Sequence, residues 1–152
     1  MRLDDKRFLE AIDAVPLVAV DLIIKNGIGE VLLGKRRNPP ARGFWFVPGG
    51  RIRKNERISE AIARISRSEL GIVMPAERAK LLGAFDHLYP DNFLGVDGVD
   101  THYVVLAYEF DLEDGASIKL DDQHSEIKWW KMEALLRSPE VHQNAKEHFI
   151  KA

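Results

Sequence analysis

Residues 49–71 read GGRIRKNERISEAIARISRSELG. A glycine pair leads into a basic loop, and the loop leads into a helical run that ends in a carboxylate and a glycine. Apolar residues at Ile58, Ala61, Ile62 and Ile65 repeat at the spacing of one helix face, which predicts a helix with a buried side. Asn55 is the expected N-cap, and Gly71 suits the left-handed position just past the last turn. Glu69 then falls one turn beyond Ile65, beside the apolar stripe. A carboxylate at the edge of a buried face needs a partner, and a metal ion is a good one. Gly49 and Gly50, lacking side chains, let backbone carbonyls and amides come close to a ligand, or simply turn the chain into the helix.

Upstream, residues 5–14 form an amphipathic pattern with Phe8, Leu9 and Ile12 on one side. Leu17 to Ile24 and Glu30 to Gly34 read as strands joined through the turn Lys25-Asn26-Gly27. Asp21 stands inside the first strand with apolar Val20 and Leu22 beside it, so strict alternation does not place it. Lys35-Arg36-Arg37 is either a solvated basic strand end or a set of donors for a diphosphate, to which forked arginines are suited. Pro39 and Pro40 force a loop, and Phe44 to Val47 returns to β structure and core.

Downstream, Lys80 to Tyr89 reads as a strand carrying His87, and residues 90–100 form a polar loop long enough to be functional. Thr101 to Leu112 is the clearest strand, nearly all apolar from Tyr103 to Tyr108 and expected to be buried on both faces. The Tyr103 hydroxyl needs a partner if buried, and a phosphate oxygen would serve. Glu113-Asp114-Gly115 is a turn, residues 121–126 are a polar run, and Ile127 to Lys131 is the last strand. Helices at 132–136 and 141–150 close the chain, with His142 and His148 in the last one and read as structural. This element order predicts an α/β (α+β) layered fold.

Composition narrows the function. At 152 residues with 45% hydrophobic content, the chain is expected to be one domain, 1–152, with a real core. No run approaches the ~20 apolar residues of a membrane span, and the charged N-terminus lacks the apolar segment of a signal peptide. There are no cysteines, hence no disulfides or thiolate metal sites. A formal charge of -2 gives no general reason to bind nucleic acid or membrane. A soluble, cytoplasmic protein is expected.

The stretch from Gly50 to Ile72 resembles the signature of the Nudix hydrolases, with Gly50, Glu56, Arg64, Glu69 and Gly71 in place. Two glutamates of the usual pattern are replaced by Ile65 and Ser68. In the ordinary family a glutamate cluster holds several divalent ions and activates water for attack on phosphorus. Losing two carboxylates removes both charge and ligands, so a changed chemistry is expected.

The GDP-mannose mannosyl hydrolase subfamily shares this loss. The resemblance runs through Pro16-Leu17-Val18, Leu32 to Arg36, Trp45 to Arg51, Asp91-Asn92-Phe93, Thr101 to Leu106 and Gln123-His124, in order. It implies a Nudix fold, a mixed β-sheet sandwiched between α-helices, and a homodimer is part of the same family expectation. It further implies one Mg²⁺ (or Mn²⁺) held by the Gly49 carbonyl, Glu69 and Gln123. His124 would be the general base, a role suited to an imidazole whose unperturbed pKa is about 6.5. Arg36, Arg51 and Tyr103 would bear on the diphosphate, Asp21 would be a catalytic-site residue contacting the bound sugar nucleotide, His87 would be an orienting group near the sugar, and Phe8 would stack on guanine. Glu56 is read as structural, and Arg64 as either a brace or a phosphate contact. The implied reaction is hydrolysis of a GDP-sugar, GDP-mannose or GDP-glucose, by inverting attack at the anomeric carbon. Two rivals stand beside it: an ordinary Nudix pyrophosphohydrolase giving GMP and sugar 1-phosphate, and a non-catalytic nucleotide-sugar-binding module.

Overall fold

The computed structural model describes residues 3–112 and 124–150. The elements in order are α1 (Asp5–Ala14), β1 (Leu17–Lys25), β2 (Val31–Arg36), β3 (Trp45–Phe46), β4 (Gly49–Arg51), α2 (Ile58–Leu70), β5 (Lys80–Tyr89), β6 (Thr101–Asp111), β7 (His124–Trp130), α3 (Met132–Arg137) and α4 (Gln143–Lys146). Short 3-10 turns follow at Ala76–Arg78 and Glu147–Phe149. The expected turn at residues 113–115 and the ligand position Gln123 lie outside the described residues.

The strands form one mixed sheet in the order β3-β2-β1-β6-β5, with β4 pairing β1 and β7 pairing β2. Its centre is the parallel pair β1 and β6, in register from Leu17 opposite Tyr103 to Lys25 opposite Asp111. The other pairings are antiparallel. Both faces are covered. Val20, Leu22 and Ile24 pack with Ala61, Ile62, Ile65 and Leu70 of α2, whereas Ile23 packs with Trp45, Trp130, Leu135 and Ala145 on the opposite side. This is the expected sheet between helices.

A central strand sandwiched in this way explains Asp21. Alternation does place it after all: Val20 and Leu22 face α2, and Asp21 shares the other face with Ile23. Apolar neighbours hid the period because both faces are buried.

Four local expectations are corrected. Asn55 is not the N-cap: it adopts a left-handed φ of 65°, and the helix begins at Ile58 after Arg57. There the Glu60 side chain reaches back to accept the Arg57 backbone N–H at 2.9 Å. Ile58 sits in the first turn and is exposed, so the buried stripe starts at Ala61. Gly49 to Arg51 is a short strand paired with β1. The C-terminal helix is two short pieces, with His142 outside as the cap whose Nδ1 accepts the Asn144 N–H at 3.0 Å. Gly71 takes the expected left-handed conformation at φ 74°. Finally, β6 is less enclosed than its composition implied, with Tyr103, Val104, Leu106 and Tyr108 only half-buried.

Candidate active site

The cleft occupies about 970 Å³ between β1, β4, β5, β6 and the end of α2. Its base is the crossing of β4 with α2. Gly49 pairs with Asp21 across β1 and β4, and Gly50 with Val20. The Gly49 N–H points at Glu69 Oε1, 3.4 Å away, so the box helix and the glycine pair meet at the buried carboxylate. Ile65, one turn earlier, packs against Gly50: a Cβ on Gly50 would lie 3.1 Å from Ile65 Cγ1. An apolar side chain therefore fills the space where the ordinary signature has a carboxylate, and Ser68 lies exposed at the cleft wall.

The basic loop between β4 and α2 is braced from within. Arg64 donates to Glu56 through Nε at 2.7 Å and Nη2 at 2.8 Å, and Nη2 also donates to the Arg51 carbonyl at 2.8 Å. Glu56 Oε1 further accepts the Arg53 N–H at 3.0 Å. The bond from Arg64, more than any other cause, holds the Glu56 carboxyl down at about 2. With its donors so engaged, Arg64 fixes the direction in which Arg51 leaves the backbone.

Arg51, Arg36 and Tyr103 line the same cleft. Burial pulls the Arg51 guanidinium below its ordinary pKa. Burial likewise raises the Tyr103 phenol, an effect that Arg36 and Arg51 partly offset from nearby. Arg36 is held by its Nε–H, which donates to the Pro40 carbonyl at 2.9 Å. Phe8 is half-buried at the cleft edge, 5.0 Å from the Phe93 ring, and the Arg51 guanidinium lies over its face at 4.8 Å.

Bordering the same cleft is a buried cluster that includes an unexpected member. His148 Nε2 lies 2.7 Å from Asp21 Oδ2, and His87 Nδ1 lies 4.0 Å from the same oxygen. All three side chains are buried, while Asp21 and His87 also line the cleft. Burial lowers the His87 pKa to about 4, with Asp21 pulling the other way, so the ring is neutral at pH 7. His148, read from the sequence as structural, is thus a site neighbour. No local signal in residues 141–150 could show this, because its partner lies 127 residues away.

His124 opens β7, where its backbone stands in register with Arg36 of β2. The structure thus brings Phe8, Asp21, Arg36, Gly49, Arg51, Arg64, Glu69, His87 and Tyr103 around one cleft.

A model of the NUDIX domain matches residues 15–152, and the chain belongs to the Nudix family. Among curated relatives it is 43% identical over 128 residues to the low-salt glycan biosynthesis protein Agl8 of Haloferax volcanii, covering 84% of this chain and 78% of that one. It is 29% identical over 120 residues to the ADP-ribose pyrophosphatase of Methanocaldococcus jannaschii, covering 79% of this chain and 64% of the relative. Among solved structures, the MutT NUDIX hydrolase of Burkholderia pseudomallei superposes with a TM-score of 0.71 at 29% identity, covering 90% and 99% of the two chains. No helix among the described residues is long and apolar enough to cross a membrane.

Proposed function

We propose that this protein hydrolyses a GDP-hexose, GDP-mannose or GDP-glucose, to GDP and the free sugar. Water attacks the anomeric carbon: its oxygen bonds to that carbon, the carbon–oxygen bond to the diphosphate breaks, and configuration inverts. The observation that carries this reading is Ile65. It is 2% exposed and packed against Gly50, where attack on phosphorus would need a further carboxylate ligand. Attack at carbon asks only for a stabilised leaving group and a base on the far side of the sugar.

The residues fit one hard cation. Glu69 presents a buried carboxylate beside the Gly49 backbone, an oxygen donor set of the kind Mg²⁺ takes. The Gly49 carbonyl, Glu69 and Gln123 would hold it, and when bound it supplies charge neutralisation on the leaving diphosphate. Arg36 and Arg51 share that electrostatic work, with Tyr103 donating its hydroxyl hydrogen to a phosphate oxygen. Phe8 offers its ring to the guanine, and Asp21 with His87 holds the sugar hydroxyls. His124 accepts the proton of the attacking water. The molecule works as a homodimer in this reading, in the cytoplasm.

The similarity to a glycan biosynthesis protein supports a sugar-nucleotide substrate. The retained Gly50, Glu56, Arg64 and Glu69, with the likeness to an ADP-ribose pyrophosphatase, favour the second reading, cleavage at phosphorus. Hydrolysis of GDP-mannose with Mg²⁺ in ¹⁸O-water separates the two. Label in mannose, with GDP released, is the expected result; label in GMP or in mannose 1-phosphate would sink attack at carbon. His124→Gln should lower kcat by ~10²–10⁴-fold with little change in KM. An unchanged kcat would remove His124 from the role of base.

A further inference from the structure

We propose that Asp21, His87 and His148 form a binding site for a transition-metal dication of the zinc class, distinct from the oxygen-donor site at Gly49 and Glu69. The three residues come from β1, β5 and the C-terminal 3-10 turn. One donor atom of each lies within 4.8 Å of the other two, and all three side chains are buried.

Within the group only one of the two imidazoles is bonded to the carboxylate. Asp21 Oδ2 bonds to His148 Nε2 at 2.7 Å, but His87 Nδ1 stands 4.0 Å from that oxygen, beyond hydrogen-bond range. The outer nitrogens, His87 Nε2 and His148 Nδ1, are buried and meet no hydrogen-bond partner among the described residues, and an ion held by the inner nitrogens would leave them so. Two imidazoles in this state cost more than apolar rings of similar shape would. The surroundings would readily accept such rings: Phe85 packs edge-on against His148 at 4.6 Å, and Phe46 against His87 at 5.8 Å.

The donor chemistry is selective. Two imidazole nitrogens and one carboxylate oxygen suit zinc, cobalt or nickel, whereas Mg²⁺ takes oxygen. Zinc bonds of about 2.0–2.2 Å set tetrahedral donors roughly 3.3–3.5 Å apart. The spacings of 2.7 Å and 4.0 Å fall on either side, so an ion would part Asp21 from His148 and draw in His87. Proton accounting is simple. An imidazole nitrogen ligates without its proton, so any hydrogen on His148 Nε2 moves to Nδ1 or is released to solvent as the ion enters. Asp21 and His87 line the cleft, which leaves the fourth position open to a ligand from that side. With the ion bound, Asp21 and His87 would hold a sugar hydroxyl through its open fourth position rather than directly, and the site stands whichever bond of the nucleotide sugar breaks.

The test uses the full chain, stripped with a chelator and titrated with Co²⁺ in the presence of excess Mg²⁺. Visible absorption of a four- or five-coordinate Co²⁺ ion, saturating at a single equivalent, is expected. His148→Gln and His87→Gln should abolish it, and Glu69→Gln should leave it unchanged. Absence of the bands would overturn the site, as would bands that vanish with Glu69→Gln and survive His148→Gln. Should either histidine variant fail to fold, the wild-type Co²⁺ protein decides by NMR. Strongly shifted, exchangeable imidazole N–H signals from two histidines support the site, and their absence refutes it.

Discussion

Gly49 has no room for a side chain. A Cβ there would lie 2.5 Å from Asp21 Oδ1 and 2.6 Å from the Val20 carbonyl oxygen. One of these obstacles is the backbone of the paired strand, which cannot swing aside as a long side chain would. Gly49→Ala should therefore push β4 off β1, costing ~1–3 kcal/mol of stability in urea unfolding and displacing Glu69's neighbour at the same stroke. At this scale the sequence was partly legible. The glycine pair announced a close approach, but its reason, a carboxylate standing across the β1–β4 pair, depends on a pairing between residues 28 apart in the chain. Asp21 itself was conspicuous as a charge among apolar neighbours, yet its partner His148 was not, since no local period links the two.

Within α2, the helix does two jobs on its two sides. Its buried stripe anchors the sheet, and Arg64 ties the preceding loop. Ile65→Ala should cost ~2–5 kcal/mol, because the side chain is buried in the core beneath Gly50 and leaves a cavity there. Chemical denaturation would measure this. Glu56 gives a pH signature. Its carboxyl is held at about 2 in the folded protein, mainly by the bond from Arg64, against an ordinary 4.5. The folded state thus binds its proton less readily than the unfolded chain. The stabilisation is fully present above pH 4.5 and drains away as pH falls toward 2. Taken whole, the shift corresponds to roughly 3 kcal/mol, which solvent screening of this near-surface pair reduces to roughly 1–2 kcal/mol. Glu56→Gln should lower stability at pH 7 by about that amount and flatten the loss between those limits, as read by thermal melts across pH. Helix α2 was legible because its apolar spacing and its closing glycine are local. Its start was not. Asn55 has the right chemistry for a cap, but a left-handed backbone withholds it from that role, and Glu60 satisfies the first turn from inside the helix.

Across the whole molecule, the cleft gathers Arg36, Arg51, Arg53 and Arg64 against Asp5, Asp21 and Glu69. A chain of net charge -2 therefore carries a locally cationic pocket, which its overall balance concealed. Salt should weaken capture of an anionic substrate while leaving the bound chemistry largely untouched, so KM should rise with ionic strength and kcat should change little. Steady-state kinetics at several salt concentrations would check it; a KM indifferent to salt would argue against charge-driven capture. The layered fold was legible because each element carries its own period. The site was legible chiefly through its resemblance to a family, since the convergence of β1, β5 and the C-terminal turn is set by the parallel pairing of β1 with β6, which no neighbouring residues encode.

The bond between Asp21 and His148 also has a meaning in time. A ribosome releases the first of these residues 127 positions before the second. At ~5–20 residues per second, that interval is roughly 6–25 s. Until it ends, the growing chain holds a carboxylate in its central strand with its histidine partner not yet made, so this corner of the cleft is completed only after strands β1 to β7 have been synthesised.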